Sequence, residues 1–335
     1  MYTRIIATRL VSLLSLSLLL LLAACGGATT TGGAGTTGSA NLPTPIPTAL
    51  DMYGTPISFP KSAPQRIITL VPSMSEILGA LNLKSRVVAV DYNTNYPADF
   101  ASLPKVSNAN GDYNVEQIVS LKPDLILSYG GETKQYDSKL TSVGLTVVDL
   151  PLSNFSQVLQ QIQIVGRITF TEDTANTLVK QLQQQIDQIK AAVANKPSPK
   201  TLLEVDDSSP GKPYVFGGTS FGDELAQLAH IQNIFHDNMT NGGYPQVTDE
   251  AIISDNPQYV ILTEDPAYGG NPASVYQRPN WGNVAAVKLH QVYRINANIT
   301  QRPGPRLVEG LRCLAQIVHP DALPGALPAY CSATV

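Results

Sequence analysis

The sequence has few of the residues that build metal or nucleic-acid sites. It contains only 3 cysteines and 4 histidines, without a CxxC pair or a Cys/His cluster, which argues against a zinc module or an iron–sulfur site. Its formal net charge is −4, whereas a nucleic-acid binder needs a basic surface. At 43% hydrophobic residues the chain is too apolar to be disordered, and its 25 prolines exclude a coiled coil. A length of 335 residues favours two lobes over one hydrophobic core.

Motifs for catalysis are also scarce. Ser73, Ser220 and the histidines could supply a nucleophile and a base, but there is no H-E-x-x-H helix and no phosphate-binding loop. The histidines are too scattered for the three-histidine site of a zinc or manganese carrier; they are His230, His236, His290 and His319. We therefore expect a binding protein, not an enzyme, with no cofactor and no metal of its own.

The N-terminus carries the pattern of an exported lipoprotein. Arg4 and Arg9 precede an apolar run from Leu10 to Ala24, which at about 15 residues is too short for a permanent membrane helix and is typical of a signal peptide over residues 1–24. The sequence Leu22-Ala-Ala-Cys25 resembles a bacterial lipobox, so Cys25 is expected to be lipidated and to become the mature N-terminus. The alternative is an ordinary cleavage site beside an incidental cysteine.

Residues 25–62 are expected to form a flexible linker. From Gly26 to Thr48 nearly every residue is Gly, Ala, Thr, Ser or Pro, and no apolar periodicity is present. A lipid anchor at Cys25 would hold the folded part of the chain at the outer face of the cytoplasmic membrane, at the cell surface or in the periplasm.

Beyond Ala63, short apolar runs alternate with helical segments, which indicates parallel βα units. The predicted strands are Arg66 to Val71, Arg86 to Val90, Leu125 to Ser128, Thr146 to Leu150, Thr201 to Val205, Tyr259 to Thr263 and Val292 to Ile295. The fold class is therefore α/β, with two Rossmann-like lobes that have parallel-rich central sheets. The lobes are expected at residues 63–152 and 197–320, with a tail at 321–335.

The two lobes are expected to be connected by helical residues 153–196. From Thr171 to Asn195, apolar residues recur at spacings of three and four, which predicts a single long helix joining the lobes.

At the start of the first lobe, Ser73-Met-Ser-Glu76 matches a capping box, in which Glu76 would bond back to the helix start.

An internal repeat links the two lobes. The segment Asn114 to Leu127 is echoed by Thr248 to Ile261, and in each copy a capping residue precedes a short helix, a proline and a buried strand. Glu116 and Glu250 occupy the same step of the two copies and should point outward. Each could simply favour the positive end of its helix dipole, but the duplication indicates a paired functional role.

Six segments together resemble the class III substrate-binding proteins of ABC importers, which carry cobalamin, ferric siderophores or haem. They are Pro64 to Ser73, Tyr96-Pro97, Leu103 to Val106, Asn114 to Leu127, Tyr244 to Glu250 and Arg302 to Glu309. The resemblance implies two α/β lobes bridged by one rigid helix. It also implies that Glu116 and Glu250 dock arginines on the two halves of a permease dimer that works with ATPase subunits. The protein itself is expected to be a monomer.

Ligand is expected beyond the carboxyl ends of the strands, between the lobes. The ligand-binding candidates are Ser73, Tyr92, Tyr129, Tyr214, Tyr244 and Arg302. Aromatic rings could lie on a large flat ligand, and Arg302 could hold an anionic or amide-bearing edge. The resemblance favours cobalamin or a related corrinoid, with a ferric siderophore or haem as the alternative.

The remaining cysteines flank the proline-rich tail of the chain. In an exported protein whose Cys25 is acylated, Cys313 and Cys331 have only each other as partners, which predicts a disulfide. Two reduced, buried thiols are the alternative.

Overall fold

A computed structural model describes residues 49–151, 154–264 and 269–332. The predicted signal peptide and Cys25 lie outside these residues. The packed part of the chain begins earlier than the predicted linker end at residue 62. Ala49 and Ile57 are buried in the core of the first lobe, and the Met52 N–H donates to the Asp149 carbonyl at 2.7 Å. Apolar residues at these positions give the segment surface to bury, unlike the Gly/Thr stretch before it.

The first lobe contains a four-stranded, fully parallel sheet in the order β2-β1-β3-β4. Its strands are β1 Ile67–Thr69, β2 Val87–Ala89, β3 Leu125–Tyr129 and β4 Val147–Leu150. Its helices are α1 Pro72–Ala80, α2 Ala98–Ala101, α3 Val115–Ser120 and α4 Lys134–Ser142. All four predicted strands are present, and helices on both faces bury them.

The second lobe contains a five-stranded mixed sheet in the order β6-β5-β8-β9, with β7 also paired to β5. Its strands are β5 Lys200–Asp206, β6 Tyr214–Val215, β7 Gln232–Asn233, β8 Tyr259–Leu262 and β9 Val292–Arg294. Its helices are α7 Phe221–Leu228, α8 Thr240–Gly243, α9 Asp249–Asp255, α10 Pro272–Val275, α11 Ala285–Lys288, α12 Ala297–Thr300, α13 Leu307–Val318 and α14 Ala329–Ser332. Strand β6 runs antiparallel to β5. Strands β6 and β7 were not predicted, because a strand of two residues is too short to show alternation.

The sequence repeat is reproduced in the pairing of the strands. Ile67 of β1 pairs with Leu125 of β3, and Thr201 of β5 pairs with Tyr259 of β8, so both partners are displaced by 134 residues. Helices α3 and α9 precede β3 and β8 at the same displacement. The two lobes therefore share a common βαβ unit.

Two helices connect the lobes: α5 Phe155–Thr169 and α6 Glu172–Val193. The second is the predicted long helix, and its buried residues are Ala175, Leu182, Ile186, Ile189 and Val193. Its length is about 33 Å at 1.5 Å per residue. The two helices approach closely at Gly166, where an added Cβ would lie 2.3 Å from the Ala175 Cβ. One continuous hydrophobic cluster contains residues of α6 and of both lobes, so both lobes pack against this helix.

The predicted capping box at Ser73 is wrong. Helix α1 begins with Pro72 at its first position, and Val71, which has no capping side chain, occupies the N-cap. Ser73 is therefore inside the first turn, since proline favours that first helical position. Glu76 is buried and faces arginines of the second lobe, as described below.

The tail is fastened to the second lobe. The Sγ atoms of Cys313 in α13 and Cys331 in α14 are bonded, with their Cα atoms 5.7 Å apart. The Asn296 N–H also donates to the Cys331 carbonyl at 2.8 Å. These contacts hold the last described turn against α13.

Candidate ligand-binding site

A cavity of about 500 Å³ lies between the two lobes, where strand β3 ends. Its lining residues are Tyr129, Glu132, Asn154, Gln157, Thr219, Ser220, Phe221, Gly242, Tyr244, Gln301 and Pro303. Tyr129 and Glu132 come from the first lobe, and Phe221, Tyr244 and Gln301 come from the second. The volume is within the usual range for small-molecule sites, and the position beyond a parallel strand is the one expected for α/β sheets.

Aromatic rings form the wall contributed by the second lobe. The Phe221 and Tyr244 ring centroids are 6.2 Å apart, and each lies 5.6 Å from the buried Phe216 ring. Tyr244 directly follows the short helix α8, in which Gly242 and Gly243 have positive φ. At Gly243 an added Cβ would lie 2.8 Å from the Gly218 carbonyl oxygen, so two backbone segments meet there with room only for glycine.

Glu132 is the charged side chain among the residues that line the cavity. It follows strand β3 and the Gly130-Gly131 turn, where both glycines have positive φ. Burial raises the pKa of the Glu132 carboxyl group, and the negative charge of Asp91 raises it further. The side chain nevertheless remains accessible to solvent, because it borders an open cavity rather than the core.

The structure brings only some of the predicted ligand-binding residues together. Tyr129 and Tyr244 line the cavity from opposite lobes. Tyr92, at 50% exposure, lies outside the lining, and Tyr214 is on the short strand β6 at the sheet edge. Ser73 is buried in the first turn of α1 and is not among the lining residues. Glu132 was missed in the sequence, although it follows the predicted Tyr129 by only three residues.

Arg302 contacts the opposite lobe. Its guanidinium donates to the Asn95 side-chain oxygen at 2.8 Å and lies 3.5 Å from the Glu76 carboxylate. Arg306 lies 3.4 Å from the same carboxylate, and its guanidinium stacks on the Tyr96 ring at 4.1 Å. Arg302 therefore pairs across the lobes in this structure instead of projecting into the cavity.

Glu116 and Glu250 occupy equivalent, exposed positions. Each lies in the first turn of its helix, after a capping side chain that accepts a hydrogen bond from the backbone: Asn114 from Gln117 and Thr248 from Ala251. Hydrogen bonding to its own backbone N–H and to Thr248 lowers the pKa of Glu250. Both carboxylates point away from the apolar side of their helices, marked by the buried Ile118 and Ile252.

The carboxyl ends of β5 and β8 are occupied by a buried ionic cluster. Arg278 donates to both carboxylate oxygens of Glu204, at 2.7 and 2.6 Å, and to Asp207 at 2.7 Å. Burial and the neighbouring negative charge of Glu204 raise the pKa of Glu264 above its usual range. The Arg278 guanidinium also lies over the ring of Trp281, which is fully buried in the core of the second lobe.

Ser220 lies in the sequence Gly218-Thr-Ser-Phe-Gly222, which matches the G-x-S-x-G pattern of a nucleophile elbow and was overlooked in the sequence. Its Oγ donates to the Gly217 carbonyl at 2.7 Å and accepts from the Asp223 N–H at 3.1 Å. Among the described residues, no histidine is hydrogen-bonded to it. Ser220 therefore caps helix α7 and is not arranged as a nucleophile.

Within the part of the chain that the structure describes, no helix is long and apolar enough to cross a membrane. The same residues contain no group of three or more His, Cys, Asp or Glu side chains that could hold a metal ion.

Comparison with known proteins identifies the family. The model of the periplasmic binding protein family matches residues 67–299. An uncharacterised ABC transporter substrate-binding lipoprotein of Bacillus subtilis is 33% identical over 267 residues, which is 78% of this chain and 82% of the relative. The vitamin B12-binding protein of Vibrio cholerae is 26% identical over 263 residues, covering 78% of this chain and 91% of that protein.

A solved structure has the same fold. A possible iron-binding, periplasmic solute-binding protein of Staphylococcus epidermidis superposes with a TM-score of 0.66 and 26% identity, covering 77% of this chain and all of that one. The two α/β lobes, their helical connection and these matches agree with one another. The relatives are binding proteins of transport systems and not enzymes. The chain belongs to the periplasmic binding protein family, the substrate-binding components of ABC importers.

Proposed function

We propose that this protein is an extracytoplasmic, lipid-anchored substrate-binding protein that captures cobalamin or a related corrinoid between its lobes and delivers it to an ABC permease. The lining of the interlobe cavity carries this proposal. It combines aromatic rings with amide side chains such as Gln157 and Gln301, and no Lys or Arg is among its described residues. A corrinoid presents a flat macrocycle for the rings and several carboxamide arms for the amides.

A ferric siderophore or haem is the second candidate, suggested by the similarity to a possible iron-binding protein. Catecholate siderophores and haem propionates are anions, which usually pair with Arg or Lys, and neither residue lines the described cavity. Haem iron would need an axial ligand such as Tyr129 or Tyr244. Burial raises the pKa of Tyr244, which disfavours the tyrosinate that would bind ferric iron.

For delivery, we propose that Glu116 and Glu250 dock the two halves of the permease dimer. The two carboxylates are exposed and occupy the same step of the repeated βαβ unit. A duplicated acidic contact suits a two-fold symmetric partner that presents arginines. Neither residue lines the cavity, so ligand capture and docking use separate surfaces.

For anchoring, we propose that Cys25 carries the lipid. The Bacillus subtilis relative is named a lipoprotein, and this chain has a lipobox-like Leu22-Ala-Ala-Cys25 sequence. Replacing Cys25 by Ala should release the protein from membranes into the soluble fraction. Continued membrane partitioning of Cys25→Ala would contradict the anchor.

The ligand can be tested with the colour of the bound molecule. Purified protein is incubated separately with cyanocobalamin, haemin and a ferric siderophore, desalted, and its visible absorbance spectrum recorded. We expect the cyanocobalamin spectrum to be retained and to be reduced in Tyr244→Ala, since that ring lines the cavity. Retention of haemin or the siderophore with loss of cyanocobalamin would replace the corrinoid assignment by the second candidate.

A further inference from the structure

The charge of the interlobe cavity rests on one residue. Among the described residues that line the cavity, Glu132 is the only one with a carboxyl group, and none has a positively charged side chain. No backbone or side-chain group in the described ranges donates a hydrogen bond to the Glu132 carboxylate. The Glu132 N–H donates to the Tyr129 carbonyl at 3.4 Å, in the turn that follows β3. The side chain therefore borders the cavity with its acceptor oxygens available.

The groups around Glu132 do not neutralise it. Asp91 acts on it as a like charge, and Tyr113 and Tyr244 are neutral phenols whose pKa values are raised in part by Glu132 itself. Two cations act on Asp91: Arg302 of the opposite lobe and Lys105 of the first lobe. Arg302 is paired with Glu76 and Asn95, and Lys105 donates to the Thr94 carbonyl at 2.6 Å. Neither cation lines the cavity, so the described first-lobe part of the lining presents a carboxylate and no positive charge.

We propose that Glu132 sets the charge selectivity of the cavity, accepting hydrogen bonds from a carboxamide or other N–H donor of the ligand and rejecting ligands that present a carboxylate there. This inference rests on the proposed function, which it deepens by assigning one edge of the ligand to one residue. Selectivity of this kind depends on a repulsive element as much as on an attractive one.

A carboxamide and a carboxylate differ in charge and in their hydrogen-bond donors. A carboxamide NH₂ donates to the ionised form of Glu132, in which the charge on the acceptor strengthens the bond; since the pKa of Glu132 is raised, the affinities are compared at about pH 8. A carboxylate of the same shape donates nothing and places a second negative charge within a few ångströms in a partly desolvated site. The carboxamide arms of a corrinoid satisfy this requirement, whereas haem propionates do not.

Two pairs of probes isolate this difference. The first pair is cyanocobalamin and the set of its monocarboxylic acids, in each of which one carboxamide is hydrolysed. The second pair is haemin dimethyl ester and haemin. Within a pair, size and shape are nearly constant, and the probes differ in charge and in hydrogen bonding at the altered groups. Dissociation constants are measured with the full chain by titration calorimetry or absorbance.

The variants are Glu132→Gln and Glu132→Lys, with Glu172→Gln as the control. Glu172 is an exposed glutamate in the first turn of α6, outside the cavity lining, so its variant removes the same charge elsewhere. Glu132 is solvent-accessible, and both variants should therefore retain the melting temperature of the parent.

We expect the parent to bind cyanocobalamin at least about tenfold more tightly than one or more of the monocarboxylic acids. Glu132→Gln should reduce this ratio to within about threefold of unity, and Glu132→Lys should invert it, while Glu172→Gln keeps the parental ratio. An unchanged ratio in Glu132→Gln overturns the inference and leaves the corrinoid function standing.

The second pair separates the two proposals. If the parent binds no corrinoid but prefers haemin dimethyl ester to haemin, and Glu132→Gln removes that preference, the selectivity role stands and the corrinoid assignment is wrong. If the parent binds neither pair, both proposals are wrong.

Discussion

The carboxylate of Glu76 in the first lobe lies 3.4 Å from the guanidinium of Arg306 in the second lobe. Glu76 is 1% exposed, and its Oε2 atom has no hydrogen-bond partner among the described residues. Arg302 approaches the same carboxylate at 3.5 Å. Pro303, between the two arginines in sequence, lines the cavity. The ion pairs therefore hold a segment of the ligand site against the opposite lobe.

The first prediction concerns the pH dependence of stability. Burial raises the pKa of Glu76 from its ordinary 4.5 to about 7, and Arg306 and Arg302 lower it only in part. A carboxyl group that binds its proton more tightly when folded contributes stability below about pH 4.5, and this contribution is lost as the pH rises through about 7. We expect the free energy of unfolding of the parent to fall by about 3 kcal/mol relative to Glu76→Gln across this window.

Urea unfolding of both proteins at a series of pH values checks this expectation. Gln keeps the size of the side chain and removes its titration, so the difference between the two curves isolates Glu76. A difference that rises with pH would show that attraction to the arginines outweighs burial, and that Glu76 is ionised in the folded protein throughout.

The second prediction concerns the aromatic residues. Tyr244→Ala and Tyr129→Ala should each weaken ligand binding by about 1 to 3 kcal/mol, since both side chains line the cavity. Tyr92→Ala and Tyr214→Ala should weaken ligand binding less, because these two side chains lie outside the lining. Dissociation constants for the four variants check this order. Equal losses at all four positions would mean that the ligand extends well beyond the cavity.

The third prediction concerns docking. Glu116→Ala combined with Glu250→Ala should leave ligand affinity and melting temperature near parental values, because both residues are exposed and neither lines the cavity. The same double variant should abolish transport and stimulation of the importer's ATPase in vesicles containing the cognate permease. Normal transport would assign the two glutamates to their helix dipoles alone.

The fourth prediction concerns the tail. Cys313 and Cys331 close a loop with a sequence separation of 18 residues, so replacing both by Ala should lower the free energy of unfolding by about 3 kcal/mol. Thiol titration of the denatured, unreduced parent should find no free thiol at these positions. Two reactive thiols per chain, or a double variant as stable as the parent, would contradict a disulfide in the folded protein.

Structural elements that are marked by several residues in a regular pattern could be predicted from the sequence. The seven predicted strands are present because each is a buried run bounded by turn residues, and the long helix because its apolar spacing persists over six turns. The sequence repeat that contains Glu116 and Glu250 predicted that both lobes share one βαβ unit, and the strand pairing confirms it.

Features that depend on one or two distant contacts were not predictable. The Ser73 to Glu76 pattern resembled a cap, but Pro72 moved the helix start and the arginines that face Glu76 lie about 230 residues away in sequence. Glu132 is a single carboxylate after a Gly-Gly turn, and only the approach of Tyr244 from the other lobe shows that it borders a cavity.

Corrinoid capture by the full chain can be measured by equilibrium dialysis against cyanocobalamin, with haemin and a ferric siderophore as competitors. We expect saturable binding of one cyanocobalamin per chain, which neither competitor displaces and which Tyr244→Ala weakens. No saturable binding of cyanocobalamin, or its displacement by haemin or the siderophore, would contradict corrinoid binding in the cavity.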